Sequence, residues 1–343
     1  MAGLLADYGV TAVFGVPGGQ TLPLYYGILD EGNRIRHILM KDEIDATFAA
    51  DAYARISGGI GVCDATAGCG AIKFISGLAE AYNTSIPVIA IGSEMEGDWL
   101  AARYRGTGSQ VVDSKEVLKP VTKWQACLPH VNKMPEQTAA QMAVSGRPGP
   151  VFIECPWRPF REEYTGPDYE SNRKLASLPA HRPTPSRDEI DEAIQVLKEA
   201  KRPVMLLGGG AWRSGARAEI TALAERMAMP AAASLTGKGV LPENHPLSLG
   251  VVGSLGGNDV SRKMVEEADV ILAIGFKFSQ NSTYGWTIPR KGQKEIRIDI
   301  DETEMNKLHT TDVGLVGDAK ATLQLLLDRL DAQRDPTAVE KEI

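Results

Sequence analysis

Apolar runs that end in a glycine or acidic turn and then hand over to a helical pattern recur along this chain, and few architectures satisfy that order. Val10–Val16 runs into Pro17-Gly18-Gly19 and a helix from Thr21 to Leu29. Ile35–Met40 ends at Lys41-Asp42-Glu43. A helix is predicted next, over Glu43–Ser57, because Ile44, Phe48, Ala52 and Ile56 fall four apart on one stripe. Gly61–Thr66 leads into the turn Ala67-Gly68-Cys69-Gly70 and a helix through Tyr82. Further strands are predicted at Ile86–Ile91, Val121–Cys127 and Pro150–Cys155, with a helix over Pro135–Val144 before the last. Strands alternating with amphipathic helices imply a parallel, doubly wound α/β sheet. Such sheets bind ligands outside the carboxyl ends of their strands. Gly18, Glu43 and Gly68 each follow a strand end and are expected to face one crevice.

A polar stretch over 165–186, containing Pro179, Pro183 and Pro185, reads as a linker. Beyond it the alternation resumes with helix Arg187–Ala200, strand Pro203–Leu207, the turn Gly208-Gly209-Gly210 and helix Ala216–Met227. Apolar runs at Ala231–Leu235, Val270–Ile274 and Ile296–Ile300 follow, then a helix over Ala319–Leu330 and a charged tail. A chain of 343 residues has room for two domains with separate cores. The expected organisation is two doubly wound α/β domains, 1–164 and 187–332, the second of them Rossmann-like. The 165–186 linker joins them, and a 333–343 tail follows. No repeat of solenoid period is present.

Composition and spacing narrow the function. Charged residues are 24% and hydrophobic ones 43%, the profile of a globular chain. A net charge of −7 without a dense Lys/Arg run gives no footprint for nucleic acid. No apolar stretch reaches the roughly 18 residues of a membrane span, and Met1-Ala2-Gly3-Leu4-Leu5 lacks the basic start of a signal peptide. Cys63, Cys69, Cys127 and Cys155 have no CxxC spacing and no histidine at ligand spacing, which fits reduced thiols in a cytoplasm. His37, His130, His181, His245 and His309 are scattered, and no GxSxG elbow occurs, so neither a metal centre nor the usual hydrolase chemistry is supported. Gly208–Gly210 would suit a diphosphate at a helix N-terminus, with Asp299 or Asp301 on a ribose. The GxGxxG spacing is absent, however, and three glycines after a strand also make a plain tight turn.

Glu43 is the residue with most chemistry in view. It stands where a strand meets a helix, in the first helical turn, where the helix dipole favours an anion. Packing into a subunit contact would raise its pKa instead. Opposed effects of that kind tune a carboxylate for proton work. A solvated acidic first turn is the alternative reading of the same residues.

Several segments also form an ordered set. Val13-Phe14-Gly15-Val16-Pro17-Gly18-Gly19 resembles VFGxPGG, and Met40-Lys41-Asp42-Glu43 with Ala50-Asp51-Ala52-Tyr53-Ala54-Arg55 resembles RHE…ADGYAR. Gly61-Val62-Cys63 followed by Thr66-Ala67-Gly68-Cys69-Gly70 resembles GVC…TSGPG. Ser109-Gln110 with Lys119-Pro120-Val121-Thr122-Lys123 resembles FQ…RPVTK, and Gly146–Val151 reads GRPGPV. Gly237–Pro242 and His245–Gly250 resemble GKGVLPE…HPLSLG. In this order, over nearly the whole chain, the motifs resemble the thiamine-diphosphate-dependent acetolactate synthase family.

The resemblance implies a pyrimidine-binding domain followed by the family's central domain. Glu43 matches the glutamate that hydrogen-bonds N1′ of the cofactor's aminopyrimidine and shares a proton with it. Gln110 matches a glutamine near the reacting centre. Val16, Pro17, Gly18, Gly19, Thr66, Gly68, Cys69, Gly70 and Lys73 match cofactor-lining positions. Cys69 stands where the family commonly has a proline and Lys73 where it has an asparagine, which opens the question of substrate and turnover. The family's third domain supplies GDG…N, whose Asp and Asn bind Mg²⁺ and thereby the diphosphate. Gly317-Asp318-Ala319 has no asparagine downstream in range, and no metal ligand is assigned here. A helical turn or two is also expected to be missing at the N-terminus. The chain is therefore expected to be one subunit of a split enzyme. Its partner would be a separate diphosphate-binding polypeptide carrying Mg²⁺, and this chain would also self-associate. The implied reaction decarboxylates a pyruvate-like 2-keto acid and transfers the acyl carbanion to a second carbonyl. Alternatives are a simple 2-keto acid decarboxylase subunit, a non-catalytic regulatory or scaffold homologue, and a plain nucleotide-binding module. Flavin (FAD) in the central domain is a further open expectation, since Gly275–Asn281 departs from the family's GxRFDDR at its polar end.

Overall fold

Six parallel strands order the first half of the chain: β1 Ala12–Gly15, β2 Arg36–Leu39, β3 Gly61–Ala65, β4 Val88–Glu94, β5 Trp124–Cys127 and β6 Val151–Pro156. In this computed structural model, which describes residues 1–95, 108, 110–128, 130–133, 139–166 and 177–330, they lie in the order β2-β1-β3-β4-β6-β5. Two units form, Met1–Ala180 and His181–Ile343. The strands β3, β4 and β6 are buried throughout, as in parallel sheets covered on both faces, which is why they read as continuous apolar runs. Val62, Ile89 and Ile91 pack with Val13, Leu24 and Ile28 on one face. Cys63, Ala65, Ala90 and Phe152 pack with Ala46, Ala50, Phe74 and Leu78 on the other.

The chain leaves β1 for the outer strand β2 and returns to β3 on the opposite side of β1. The direction of winding therefore reverses between β1 and β3, the position outside whose carboxyl ends sheets of this kind bind ligands. The helix Glu43–Ser57 starts at that end. Its N-cap Asp42 accepts the Ile44 amide at 2.8 Å, and Gly58 closes it in the left-handed region at φ 69°. The buried face of this helix is the small-residue face, Ala46, Thr47, Ala50 and Ala54. The stripe of Ile44, Phe48 and Ile56 points outward and is exposed. Close approach explains the choice: a side chain on Gly61 would overlap the Ala50 carbonyl, and one on Gly77 would overlap Thr47.

The second unit repeats the scheme with β7 Pro203–Leu207, β8 Ala231–Ala233, β9 Ser248–Val251, β10 Val270–Ile274, β11 Lys294–Asp299 and β12 Val313–Val316. Their order, β12-β11-β10-β7-β8-β9, is all parallel and reverses between β7 and β10. Both sheets are thus doubly wound α/β. Several details differ from the sequence reading. β9, β12 and the helix Asp259–Glu267 lie where no element is predicted, and β8 stops at Ala233 because Leu235–Gly237 coils into a 3₁₀ turn. A 3₁₀ turn, Ala71–Phe74, precedes the helix Ile75–Thr84. Of the predicted Pro135–Val144 helix, Ala140–Val144 is helical, and 134–138 lie outside the described residues. So do Ser109, 167–176 of the linker stretch and the whole 333–343 tail. Among the described residues no helix is long and apolar enough to cross a membrane.

Candidate functional site

The loops after β1 and β3 meet at the reversal point of the first sheet. A side chain on Gly18 would overlap that of Thr66, so the two loops touch only because Gly18 has none. The Thr21 hydroxyl accepts the Gly18 amide at 3.1 Å and donates to the Gly18 carbonyl at 3.0 Å, closing the turn. Thr66 Oγ1 donates to Gln20 Oε1 at 2.6 Å, and Gln20 Nε2 reaches Met95 Sδ at 3.2 Å. Gly68 has φ +60°, and a Cβ there would run into the Gln110 carbonyl. Gln110, itself at φ 61°, is thereby brought against the Thr66–Gly70 loop. A Cβ on Gly70 would lie 2.8 Å from the Thr66 carbonyl oxygen and 3.2 Å from Glu43 Oε1. Gly18, Thr66, Gly68, Gly70, Glu43 and Gln110 thus converge, from three strand ends and one later segment. Val16 is half-buried in the same β1 turn, while Pro17, Gly19 and Cys69 are exposed.

Glu43 is 7% exposed although it carries a carboxylate. Burying a charge needs a partner. Lys73 Nζ supplies it at 3.0 Å from Glu43 Oε2, with the positive end of the helix dipole beneath. Lys73 also lies 2.8 Å from Asp42 Oδ2, so one ammonium bridges two carboxylates. The bonds to Asp42 and Glu43 raise the Lys73 pKa, and the bonds from Lys73 and the Ile44 amide hold Asp42 below the usual carboxylate range. This bridge was not legible in the sequence, because 30 residues separate Lys73 from Glu43.

A second buried acid lies against Gly15 of β1. Asp64, in the middle of β3, is fully buried and accepts bonds from His37 Nε2 at 2.9 Å and from the Tyr25 hydroxyl. Burial, and then the Asp64 charge, push the Tyr25 pKa up. An aspartate inside an apolar strand run was the available signal, and it went unread.

In the second unit the glycine turn after β7 is explained by packing. A side chain on Gly208 would overlap the Gly275 carbonyl, and one on Gly210 would lie 2.8 Å from Gly275 Cα. The Gly208 amide donates to the Ile274 carbonyl at 3.0 Å, and the Gly210 amide to the Gly275 carbonyl at 3.1 Å. Those two amides are committed inside the loop. Asp299 and Asp301 each accept a backbone amide two residues on, which makes them turn-forming acids. Asp318 caps the helix Ala319–Arg329 and holds Arg182 at 2.7 Å and Ser214 at 2.8 Å. Among the described residues no group of three or more His, Cys, Asp or Glu is placed to hold a metal ion.

Two family descriptions match the sequence: the N-terminal TPP binding domain of thiamine pyrophosphate enzymes over residues 1–117 and their central domain over 190–326. The acetolactate synthase of Arthrospira platensis is 38% identical over 334 residues, 95% of this chain and 56% of the relative. A probable 2-ketoarginine decarboxylase of Pseudomonas aeruginosa is 34% identical over 98% of this chain and 58% of its own length. Glyoxylate carboligase of Escherichia coli is 33% identical over 95% of this chain and 54% of its own length. The chain spans little more than half the length of these relatives.

Proposed function

The chain belongs to the thiamine pyrophosphate enzyme family, among its acetolactate synthase-like members, and we propose that it supplies the pyrimidine half of a thiamine diphosphate site. In this reading residues 1–164 form the pyrimidine-binding domain, 165–186 the linker and 187–332 the central domain, with 333–343 as the tail. The assembled enzyme decarboxylates a pyruvate-like 2-keto acid and joins the acyl carbanion to a second carbonyl.

The observation that carries this is the carboxyl of Glu43, nine-tenths buried at a strand–helix junction and facing a loop whose Gly70 has no side chain. A buried carboxyl at a strand–helix junction suits a flat heteroaromatic ring with one nitrogen to bind. Thiamine diphosphate, when bound, supplies an electron sink for decarboxylation. Glu43 would hold or release a proton at the ring nitrogen, and Gln110 would stand near the reacting carbon. Val16, Pro17, Gly18, Gly19, Thr66, Gly68, Cys69, Gly70 and Lys73 would line the ring.

The diphosphate and Mg²⁺ are assigned to a GDG…N module outside these 343 residues. The face that such a module would cover is apolar. Ile44 and Phe48 in the first half of the Glu43–Ser57 helix are exposed, as are Ile56 near its end and Ile75 and Tyr82 on the neighbouring Ile75–Thr84 helix. Arg55 ties the two helices together through Asp51, Glu80 and Thr84. Self-association of the chain completes the proposed assembly. A Glu43→Gln variant in the assembled enzyme tests the assignment: turnover should fall about 10²-fold or more with assembly intact, and unchanged turnover would refute it. The second reading, a non-catalytic regulatory homologue, is favoured by one observation, the Lys73 ammonium already seated on Glu43.

A further inference from the structure

The two oxygens of the Glu43 carboxylate have different neighbours. Oε1 lies against the backbone of Gly70, 3.2 Å from where a Cβ would stand. Oε2 is bonded to Lys73 Nζ at 3.0 Å. A ring nitrogen arriving at Glu43 therefore meets an oxygen that an ammonium already holds. Lys73 has a second anchor, Asp42 Oδ2 at 2.8 Å. The other oxygen of Asp42 is fixed on the Ile44 amide as a helix cap, so Asp42 stays in place whatever Lys73 does. The side chains of Lys73 and Asp42 are 44% and 37% exposed, while that of Glu43 is 9% exposed. The exposed end of the bridge is thus Asp42 and the sequestered end is Glu43.

We propose that Lys73 sets the cofactor affinity of this chain by exchange: the pyrimidine nitrogen replaces its ammonium on Glu43, and Lys73 retires onto Asp42. The inference rests on the functional reading above and deepens it. The bridge counts two carboxylates against one ammonium, and after exchange the Lys73–Asp42 pair is neutral in water-accessible surroundings. When Lys73 is removed, its competing charge-assisted bond to Glu43 disappears and the carboxylate is left for the ring nitrogen.

The test is calorimetric binding of thiamine, a probe that carries the pyrimidine without the diphosphate, to the full chain and its variants. Lys73→Met and Lys73→Asn should each bind thiamine about tenfold tighter or more, the range of one bond to a charged group. Asp42→Asn keeps a capping side chain but removes the charge that receives Lys73, and should weaken binding several-fold. In a Glu43→Gln background, Lys73→Met should change the affinity by less than about twofold, since the competed oxygen is then uncharged. Equal or weaker binding by Lys73→Met overturns the exchange. The same gain in the Glu43→Gln background overturns it too, by showing that Lys73 acts elsewhere. If neither the parent chain nor Lys73→Met binds thiamine while both keep their circular-dichroism spectra, the pyrimidine-site reading itself falls, and the exchange with it.

Discussion

Gly68→Ala is the substitution whose effect can be worked most directly from the geometry. Gly68 sits at φ +60°, where an L side chain strains the backbone by about 1–2 kcal/mol. Its missing Cβ would also overlap the Gln110 carbonyl, a backbone atom that cannot rotate away. Forcing that atom aside adds about 1–3 kcal/mol, as overpacking of a filled space does. Gly58, at φ +69° with nothing within 4 Å of its Cβ position, isolates the first effect from the second. Gly68→Ala is therefore expected to destabilise the first unit by about 1–3 kcal/mol more than Gly58→Ala. For a unit of this size that is a further drop of about 2–12 °C in melting temperature. Urea and thermal titrations followed by circular dichroism on both variants read the difference. Equal losses would refute the argument, because they would mean that the Gln110 segment does not pack against the Thr66–Gly70 loop.

Two further outcomes follow from the buried and bridged acids. Tyr25→Phe removes a donor from the fully buried Asp64 and should cost about 1–3 kcal/mol in urea denaturation; a neutral result would contradict the hydrogen bond. Asp42 is held below the usual carboxylate range by Lys73 and the Ile44 amide. A carboxyl depressed in the folded state contributes stability that is complete above its unfolded pKa of about 4 and lost as pH falls through the folded value. Lys73→Met should therefore show a smaller loss of stability than the parent between about pH 5 and about pH 2. Parallel pH profiles of the urea midpoint would contradict the bridge.

Local signals made the Glu43–Ser57 helix readable to the residue. Asp42 caps one end and Gly58 the other, both acting within a few positions of the sequence. The parallel sheets were readable because their central strands are covered on both faces and so appear as uninterrupted apolar runs. The elements that went unread lack such runs. Ser248–Val251 is an edge strand with alternating burial, and Asp259–Glu267 buries only Ser261 and Val265. The outward face of the Glu43–Ser57 helix shows a limit of periodicity: Ile44, Phe48 and Ile56 share a stripe, yet close packing puts the alanines inward. Within the site, Gly18, Glu43 and Gly68 could be placed from strand ends, whereas the Gln20–Thr66 bond and the Lys73 bridge join distant segments. Their partners are chosen by the tertiary fold, so no spacing announces them.

The most direct measurement is to co-purify this chain with a polypeptide carrying GDG…N and follow pyruvate consumption with thiamine diphosphate and Mg²⁺ present. A stable complex that consumes pyruvate is the expected result. A complex that forms and stays inert with cofactor and metal supplied would contradict it.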